Sequence, residues 1–415
     1  MIPLVFEHWN HDYNWYNPNN WPRDFILNGQ YTLPYSYDEL YAESVKVSND
    51  VLIRSKKVLP LLYSKDIKTK YLYPIIVRRW NYFIRMQQHG FDFINPDIIQ
   101  DCKNNLGKIV ILYPGEGECG PTDWHILDSW CKKYGLRKEQ VHFVHGNHLV
   151  PDNVYDFTYH PVNYFTMTWR QFNNYIEYDP TDDKNLFLCY NRVRRTHRTL
   201  LVCELIKNNL LDRGLVSYYN DGRSAIDDCE SRQDLHYSAI QLDKISPLIL
   251  EFKDSTLFQG DNFINFLHHT RTFLSLVTET LTEEVLAQRG AITSKYSSIF
   301  FSEKTYKPIA TFQPFMIVAC KDHLKYLRDL GYKTFNDFWS EDYDTVNDFD
   351  QRIRLIISEL QKLSKLSVYE LIDLKKEMLP IILHNNTVYN EFRNTHGNDI
   401  DTVLYNIIEK IYQQF

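Results

Sequence analysis

The chain has 415 residues, with 15% aromatic positions, 44% hydrophobic positions and only 14 glycines. Its apolar content is sufficient for large cores and excludes wholesale disorder, and a chain of this length usually forms more than one domain. The net charge of -7 argues against a general polyanion binder, although a local basic cluster remains compatible with it. The scarcity of glycine argues against glycine-rich phosphate-binding loops.

The cysteines and the apolar segments indicate in which cellular compartment the protein is expected. Seven cysteines are scattered without a CxxC pair, which argues against a disulfide framework and a structural zinc site. The longest apolar runs, such as Ile109–Tyr113 and Phe315–Cys320, are far shorter than the ~20 residues of a membrane span. The start of the chain has no basic and apolar leader pattern. We therefore expect a cytoplasmic protein without a membrane span.

The first part of the chain reads as an α/β unit. Apolar runs at Ile2–Phe6, Lys108–Tyr113 and Val141–His145 predict strands, and a helix is predicted from Pro121 to about Tyr134. Continuous apolar strands that alternate with helices favour a parallel sheet covered on both faces. Two further segments are predicted with less pattern to guide them, a helix over 68–90 and a strand over Val162–Thr168.

A second strand–helix series follows the polar, proline-containing segment 179–184. The predicted elements, in chain order, are a strand at Asn185–Tyr190, a helix at Thr196–Leu211, strands at Leu215–Tyr219 and Thr272–Thr278, a helix at Ser302–Thr311, a strand at Pro314–Ala319, and a helix over 321–330. The tail is predicted to be helical, with Ile353, Ile356, Ile357 and Leu360 on one stripe.

The predicted fold class is α/β, with two Rossmann-like domains that face a cleft and a C-terminal helical tail. The predicted division is 1–183 for an acceptor-side domain, 184–347 for a nucleotide-binding domain, and 348–415 for the tail. Ligands of such sheets bind beyond the carboxyl ends of the strands.

The segment Asn191–Arg198 combines a strand end with four arginines, and it lies where the first strand of the second domain leads into its helix. A helix start attracts anions, and guanidinium groups match the geometry of phosphate. A solvated basic face is the alternative, but cations at a helix start are unfavourable to the helix dipole. Because four arginines cannot all face one ligand, we favour Arg192 and Arg195, together with Asn191, as anion-binding residues.

The segment Phe300–Pro308 forms the second candidate site. Ser302 is a suitable helix cap, and Glu303 falls in the first turn, where a carboxylate is favoured. Glu303 could therefore serve the helix dipole alone. Lys304 and Lys307 oppose that dipole, however, and a carboxylate that accepts a ribose diol beside a lysine that holds a diphosphate would account for all three residues.

Loops that follow the first-domain strands supply candidates for a general base. A carboxylate or imidazole at a strand end can deprotonate an acceptor hydroxyl when its pKa is suitable. Glu116, held between two glycines, and His145 are the preferred catalytic residues, although each could be a surface or capping residue. The further candidates are Glu7, His8, His11, Asp12, Glu118, Asp123 and His148.

Metal binding is not expected. Asp342 and Asp344 have the DxD spacing of metal-dependent sugar transferases, but no apolar strand leads into them, so a loop is the preferred interpretation. The histidines, including His268 and His269, lack the spacing of a zinc site.

Several of these motifs resemble the donor site of fucosyltransferase-like glycosyltransferases of the GT-B type. The similar segments are Glu303–Lys304, the apolar helix and strand through Val318, and the strand at 186–190 that leads into Arg192 and Arg195. Leu274–Thr278 with Glu279, and the segment 331–339, are similar to uncharacterised glycosyltransferases of phages and large viruses. The resemblance covers about 185–345 and departs from the family where Ala310–Gln313 lacks a glycine.

The resemblance implies a nucleotide-sugar co-substrate, no other cofactor, and no metal. It implies that Glu303 holds the ribose hydroxyls, and that Lys304, Arg192 and Arg195 neutralise the diphosphate. The predicted function is transfer of a sugar from a nucleotide sugar to a glycan or protein hydroxyl. Two alternatives stay open: a glycosyltransferase that acts on modified bases of viral DNA, and a non-catalytic interaction protein that retains the fold. A viral source would place the protein in the cytoplasm of an infected host.

Overall fold

The computed structural model shows two parallel β-sheets, one in each of two units of the chain. The structure describes residues 2–6, 58–62, 66–76, 94–113, 121–150, 155–162, 177–180, 185–250, 265–283, 285, 298–396 and 400–415. Unit 1 comprises Met1–Tyr164 and His396–Phe415, and unit 2 comprises Phe165–Thr395. This grouping differs from the predicted division, because unit 2 begins before residue 183 and takes in most of the helical tail.

Unit 1 is built on a sheet of six parallel strands in the order β2-β1-β3-β4-β5-β6. The strands are β1 (Ile2–Phe6), β2 (Val58–Leu62), β3 (Tyr71–Ile76), β4 (Gly107–Tyr113), β5 (Val141–His145) and β6 (Thr158–Pro161). The helices are α1 (Pro96–Lys103) and α2 (Pro121–Tyr134), and Gly135 ends α2 with a positive φ of 64°. The predicted strands β1, β4 and β5 and the predicted helix α2 are confirmed.

The prediction of a helix over 68–90 is wrong where the structure describes the segment. Residues 71–76 form β3, which pairs with β4 at six positions from Tyr71 to Ile76. The run Tyr-Leu-Tyr-Pro-Ile-Ile favours a strand, because Pro74 would remove a hydrogen bond from a helix interior and aromatic and β-branched side chains suit a sheet. Residues 77–90 lie outside the described part. The last strand, β6, ends at Pro161, and most of the strand predicted at Val162–Thr168 also falls outside it.

Unit 2 contains a sheet of four parallel strands in the order β10-β9-β7-β8. These are β7 (Phe187–Asn191), β8 (Gly214–Tyr218), β9 (Leu274–Thr278) and β10 (Phe315–Val318), and all four were predicted to within two residues. Every residue of β9 and β10 is buried, as expected for strands covered on both faces. Numbered within the unit, the order is 2-1-3-4, as in doubly wound folds, with its switch point between β7 and β9.

Helices complete unit 2 and the tail. They are α3 (Thr196–Lys207), α4 (Ala225–Asp228), α5 (His236–Ile245), α6 (Phe266–Arg271), α7 (Glu303–Ala310), α8 (His323–Asp329), α9 (Phe349–Leu363), α10 (Val368–His396) and α11 (Ile400–Tyr412). The predicted helical tail is confirmed in the described residues, and its apolar stripe on α9 is buried. None of the described helices is long and apolar enough to cross a membrane.

A buried arginine of α9 fixes the carboxyl end of β10. Arg352 is 1% exposed, and its Nη1 donates to Glu283 Oε2 at 2.9 Å and to the carbonyl of Ala319 at 2.5 Å. Its Nη2 donates to the carbonyl of Val346 at 2.7 Å and to Glu283 Oε1 at 3.2 Å. Lys321 N also donates to Glu283 Oε1. The Glu283 carboxylate therefore joins Arg352 of the tail helix to the loops that follow β9 and β10.

Replacing Arg352 with Met should therefore destabilise unit 2 by about 3 kcal/mol, since Glu283 and two carbonyls lose a buried charged donor. Thermal and urea unfolding measure this change. Lys376→Met is the matched control, because Lys376 forms an exposed ion pair with Asp373 on the neighbouring helix α10 and its loss should have little effect. Equal stabilities of the two variants would show that Arg352 does not anchor α9.

Candidate functional site

The candidate site lies at the switch point of the unit 2 sheet, where the carboxyl ends of β7 and β9 are neighbours. Asn191, the last residue of β7, is 1% exposed. Its side-chain oxygen accepts from Thr278 Oγ1 at 2.8 Å, and its amide nitrogen donates to Cys189 Sγ at 3.3 Å. Asn191 is predicted to bind a ligand, and in the structure its side chain joins the carboxyl ends of β7 and β9.

Glu279, directly after β9, is a buried carboxylate with protein donors on both oxygens. It is 1% exposed. Oε1 accepts from Thr305 Oγ1 at 2.6 Å and from the backbone N–H groups of Ser302 at 3.2 Å and Thr305 at 3.3 Å. Oε2 accepts from Ser302 Oγ at 2.6 Å and Thr280 N at 2.9 Å. The predicted ligand-binding residue Glu279 is thus turned into the protein.

The electrostatic balance at Glu279 favours its charged form. Burial raises the pKa of the carboxyl, but the positive charge of Lys304, the influence of His323 and the hydroxyl donors of Ser302 and Thr305 outweigh it, so that the net pKa lies below its ordinary value. The carboxylate is therefore ionised at neutral pH, and it occupies the N-terminal end of α7, where the helix dipole favours an anion.

The start of α7 is satisfied from within the protein. Ser302 is the helix cap, as predicted, and its Oγ accepts from Lys304 N at 3.2 Å. Glu279 takes the next backbone N–H group, that of Thr305. Since this helix end already holds an internal anion, two lysines in its first turns are less unfavourable than they seem from the sequence, and an incoming anion would be bound by side chains.

Two cations from different elements converge on Thr280. Lys304 Nζ, in the first turn of α7, donates to Thr280 Oγ1 at 3.0 Å and to Glu303 Oε1 at 2.7 Å. Arg195, which precedes α3, donates from Nη1 to the carbonyl of Thr280 at 2.6 Å. Arg195 is half-buried, and the Lys304 side chain is 25% exposed. The structure thus brings Arg195 together with Glu303 and Lys304, which follow it by more than a hundred residues in the sequence.

Two other arginines of this segment, Arg194 and Arg198, form buried contacts within the protein. Arg194 Nε donates to Asp228 at 2.8 Å, and its Nη2 donates to the carbonyl of Ser224 at 2.6 Å. Arg198 is 2% exposed and donates to the carbonyl of Val193 at 2.6 Å, and burial lowers its pKa to about 10. Arg192 is exposed. The pair preferred from the sequence, Arg192 and Arg195, therefore comprises the two arginines of this segment that are not buried.

Sequence reasoning missed His197 and Asp228, which hold the first turn of α3 against the residue after β9 and against α4. His197, in the first turn of α3, is fully buried, and burial keeps its pKa well below its ordinary value. Its Nε2 lies 3.0 Å from the carbonyl oxygen of Glu279, to which the neutral ring donates. Asp228 accepts from Thr196 Oγ1 at 2.9 Å and Thr199 Oγ1 at 2.6 Å. The available signal was the pair of hydroxyl residues in the first turn of α3, Thr196 and Thr199, which offer donors to a carboxylate such as Asp228.

Lys307 and His145 are the remaining predicted site residues that the structure describes. Lys307 is half-buried on the second turn of α7. His145, the last residue of β5 in unit 1, is fully buried, and burial lowers its pKa to about 3. Its Nδ1 accepts from the backbone N–H of Asn147 at 3.0 Å. A base with so low a pKa binds a proton weakly at neutral pH, which argues against catalysis by His145. Glu116 lies outside the described residues.

The DxD segment has a structural role. Asp342–Asp344 is a turn of 3-10 helix, as the loop interpretation expected. The Asp344 carboxylate accepts from Leu324 N at 2.8 Å and Lys325 N at 3.1 Å, so that it caps the start of α8. In the described part of the chain, no group of three or more His, Cys, Asp or Glu residues could hold a metal ion.

Comparison with known protein families and with curated proteins finds no match for this chain. Its chemistry must therefore be inferred from its own residues. Half-buried cations beside a carboxylate, at the switch point of a parallel sheet, can bind a ligand that carries both negative charge and hydroxyl groups.

The substitution Glu279→Gln should lower the free energy of unfolding by about 2 kcal/mol, because an amide group would face donors that need an acceptor. Its effect depends on pH. Because the pKa of Glu279 is lower in the folded protein, its contribution is complete above the ordinary value of 4.5 and is lost as the pH falls further. The difference between wild type and variant should hence shrink in acid, as measured by thermal unfolding from pH 7 to pH 3.

Glu377→Gln provides the control, since Glu377 is an exposed residue of α10. Its stability should follow that of the wild type at every pH. A Glu279→Gln protein as stable as the control at pH 7 would contradict the role of Glu279 as the anchor of α7.

Proposed function

We propose that this protein is a nucleotide-sugar-dependent glycosyltransferase, whose donor binds at the switch point of the unit 2 sheet. The observation that carries the proposal is the convergence of Arg195 and Lys304 on Thr280 with Glu303 beside them. The resemblance of the same residues to the fucosyltransferase-like donor motif supports it.

Side-chain cations would bind the diphosphate. Arg195 and Lys304 flank one point of the sheet edge, and the exposed Arg192 precedes Arg195 on the same loop. A guanidinium and an ammonium form charge-assisted hydrogen bonds with phosphate oxygens, and these bonds are stronger than those with neutral acceptors. The same cations would stabilise negative charge on the departing nucleoside diphosphate, which is the main electrostatic requirement of the reaction.

Glu303 is suited to the ribose. It is 7% exposed, and its Oε1 accepts from Lys304 Nζ at 2.7 Å. The ion pair fixes the carboxylate in one orientation, and a carboxylate has further lone pairs that can accept from a vicinal diol. Ribose and diphosphate would then be bound by two neighbouring residues of the first turn of α7, Glu303 and Lys304.

In the transfer step, the oxygen of an acceptor hydroxyl would bond to the anomeric carbon as the bond from that carbon to the phosphate oxygen breaks. The nucleoside diphosphate leaves with the electron pair, and a base takes the hydroxyl proton. The predicted base is Glu116. The buried His145, with a pKa of about 3, is poorly suited to this task.

The variants Arg195→Ala and Glu303→Gln should each weaken binding of the donor at least about tenfold, since each removes one charge-assisted contact. A thermal-shift screen of UDP-, GDP-, ADP-, CMP- and dTDP-linked sugars would first identify the donor. A ligand specific for the folded state adds about 2.7 kcal/mol at 100 times its dissociation constant. Calorimetry with that donor then gives the affinity of each variant.

Lys325→Ala is the matched control, because Lys325 is an exposed cation of the same unit on α8. Its affinity for the donor should equal that of the wild type. Unchanged affinity in both Arg195→Ala and Glu303→Gln would exclude this donor site.

A further inference from the structure

An exposed aromatic ring lies at the carboxyl end of the edge strand β8. Tyr219 follows directly on β8 and is 57% exposed, whereas the preceding Tyr218 is 1% exposed. Single exposed apolar residues are common on proteins and carry no inference by themselves. Tyr219 differs by its position, since it lies at the sheet edge where ligands of doubly wound folds bind.

Register places Tyr219 beside the loop that carries Arg192 and Arg195. Tyr218 pairs with Asn191 in the parallel β7–β8 ladder, and Tyr219 N donates to the carbonyl of Asn191 at 3.3 Å. Tyr219 and Arg192 are consequently the next residues along two neighbouring strands. Both are exposed, as is Val193 at 54%. A cation, an aromatic ring and an aliphatic side chain thus share one rim of the sheet.

The backbone around Tyr219 is well anchored. Tyr218 and Leu248 exchange two backbone hydrogen bonds, at 3.0 and 2.9 Å. Asn220 donates to Ser246 Oγ at 2.9 Å and accepts from Gly222 N at 2.9 Å. The exposure of the Tyr219 ring is therefore a property of an ordered turn, which a rigid binding surface requires.

The strand order gives the proposed donor a direction along the sheet edge. The strands run β10-β9-β7-β8, and neighbours are ~4.8 Å apart. Glu303 and Lys304 start the helix between β9 and β10, and Arg195 follows β7. If ribose lies at Glu303 and the diphosphate between Lys304 and Arg195, the group beyond the diphosphate points toward β8. The nucleobase lies on the other side of the ribose.

We propose that Tyr219 is the platform on which the sugar ring of the donor packs, with Arg192 at its edge. The inference rests on the proposed function and assigns the sugar subsite of the same site. The C–H groups on one face of a pyranose are apolar and pack on the face of an aromatic ring, while the sugar hydroxyls remain available to polar side chains.

The test compares a nucleotide sugar with its own nucleoside diphosphate. The probe is the nucleotide diphosphate sugar with the largest thermal shift among the UDP-, GDP-, ADP- and dTDP-linked sugars. Tyr219→Ala should bind this probe about fivefold or more weakly, the magnitude typical of one aromatic packing contact. It should bind the nucleoside diphosphate as the wild type does. Tyr219→Phe, which keeps the ring, should match the wild type with both ligands.

Tyr369→Ala is the matched control, because Tyr369 is 80% exposed on α10. It should bind both ligands with unchanged affinity. Equal binding of the nucleotide sugar by Tyr219→Ala and wild type would overturn the proposal. So would a parallel loss of nucleoside diphosphate binding, which would make Tyr219 a surface for the base. Failure of the wild type to bind any nucleotide would instead refute the donor site itself.

Discussion

The buried carboxylate of Glu279 is the constraint on which the site depends. A carboxylate taken out of water is strongly unfavourable unless donors replace its hydration. Three residues, Thr280, Ser302 and Thr305, supply five donors to Glu279. They can do so only when the start of α7 lies against the end of β9. The side chain of Lys304 then reaches Thr280. The position of the Lys304 ammonium is thus fixed by the same packing of α7 on β9 that satisfies the Glu279 carboxylate.

This arrangement gives physical meaning to the scarcity of glycine. Glycine-rich loops bind phosphate through backbone N–H groups, because the absence of Cβ lets the backbone approach the ligand. At α7 those groups already serve Glu279 and Ser302. An anion at this edge of the sheet would instead contact long side chains, Arg195 and Lys304, which need no close approach of the backbone. Phosphate bound in this way would need no glycine-rich loop at this edge of the sheet.

The sequence predicted what depends on local pattern and missed what depends on distant partners. Continuous apolar runs identified β4, β5 and β9, because a parallel strand buried on both faces has no polar alternation to obscure it. The aromatic residues around β3 have spacings that also suit a helix, and this ambiguity produced the wrong assignment there. Adjacent arginines differ for a reason that no local rule contains: the partner of Arg194 is Asp228, 34 residues away. The sequence alone therefore could not show that Arg194, and not the adjacent Arg195, is the buried arginine.

The buried arginines and the two cations at Thr280 differ in the acceptors that a ligand could replace. Arg194 and Arg352 are themselves buried and are bonded to carboxylates, and breaking such a pair would leave a buried charge uncompensated. Arg195, by contrast, is half-buried and donates to a neutral carbonyl of Thr280, while Lys304 holds a hydroxyl of the same residue. A phosphate oxygen is a stronger acceptor than either. The contacts with Thr280 are with neutral acceptors, so a ligand anion that replaced them would leave the ion pair between Lys304 and Glu303 in place.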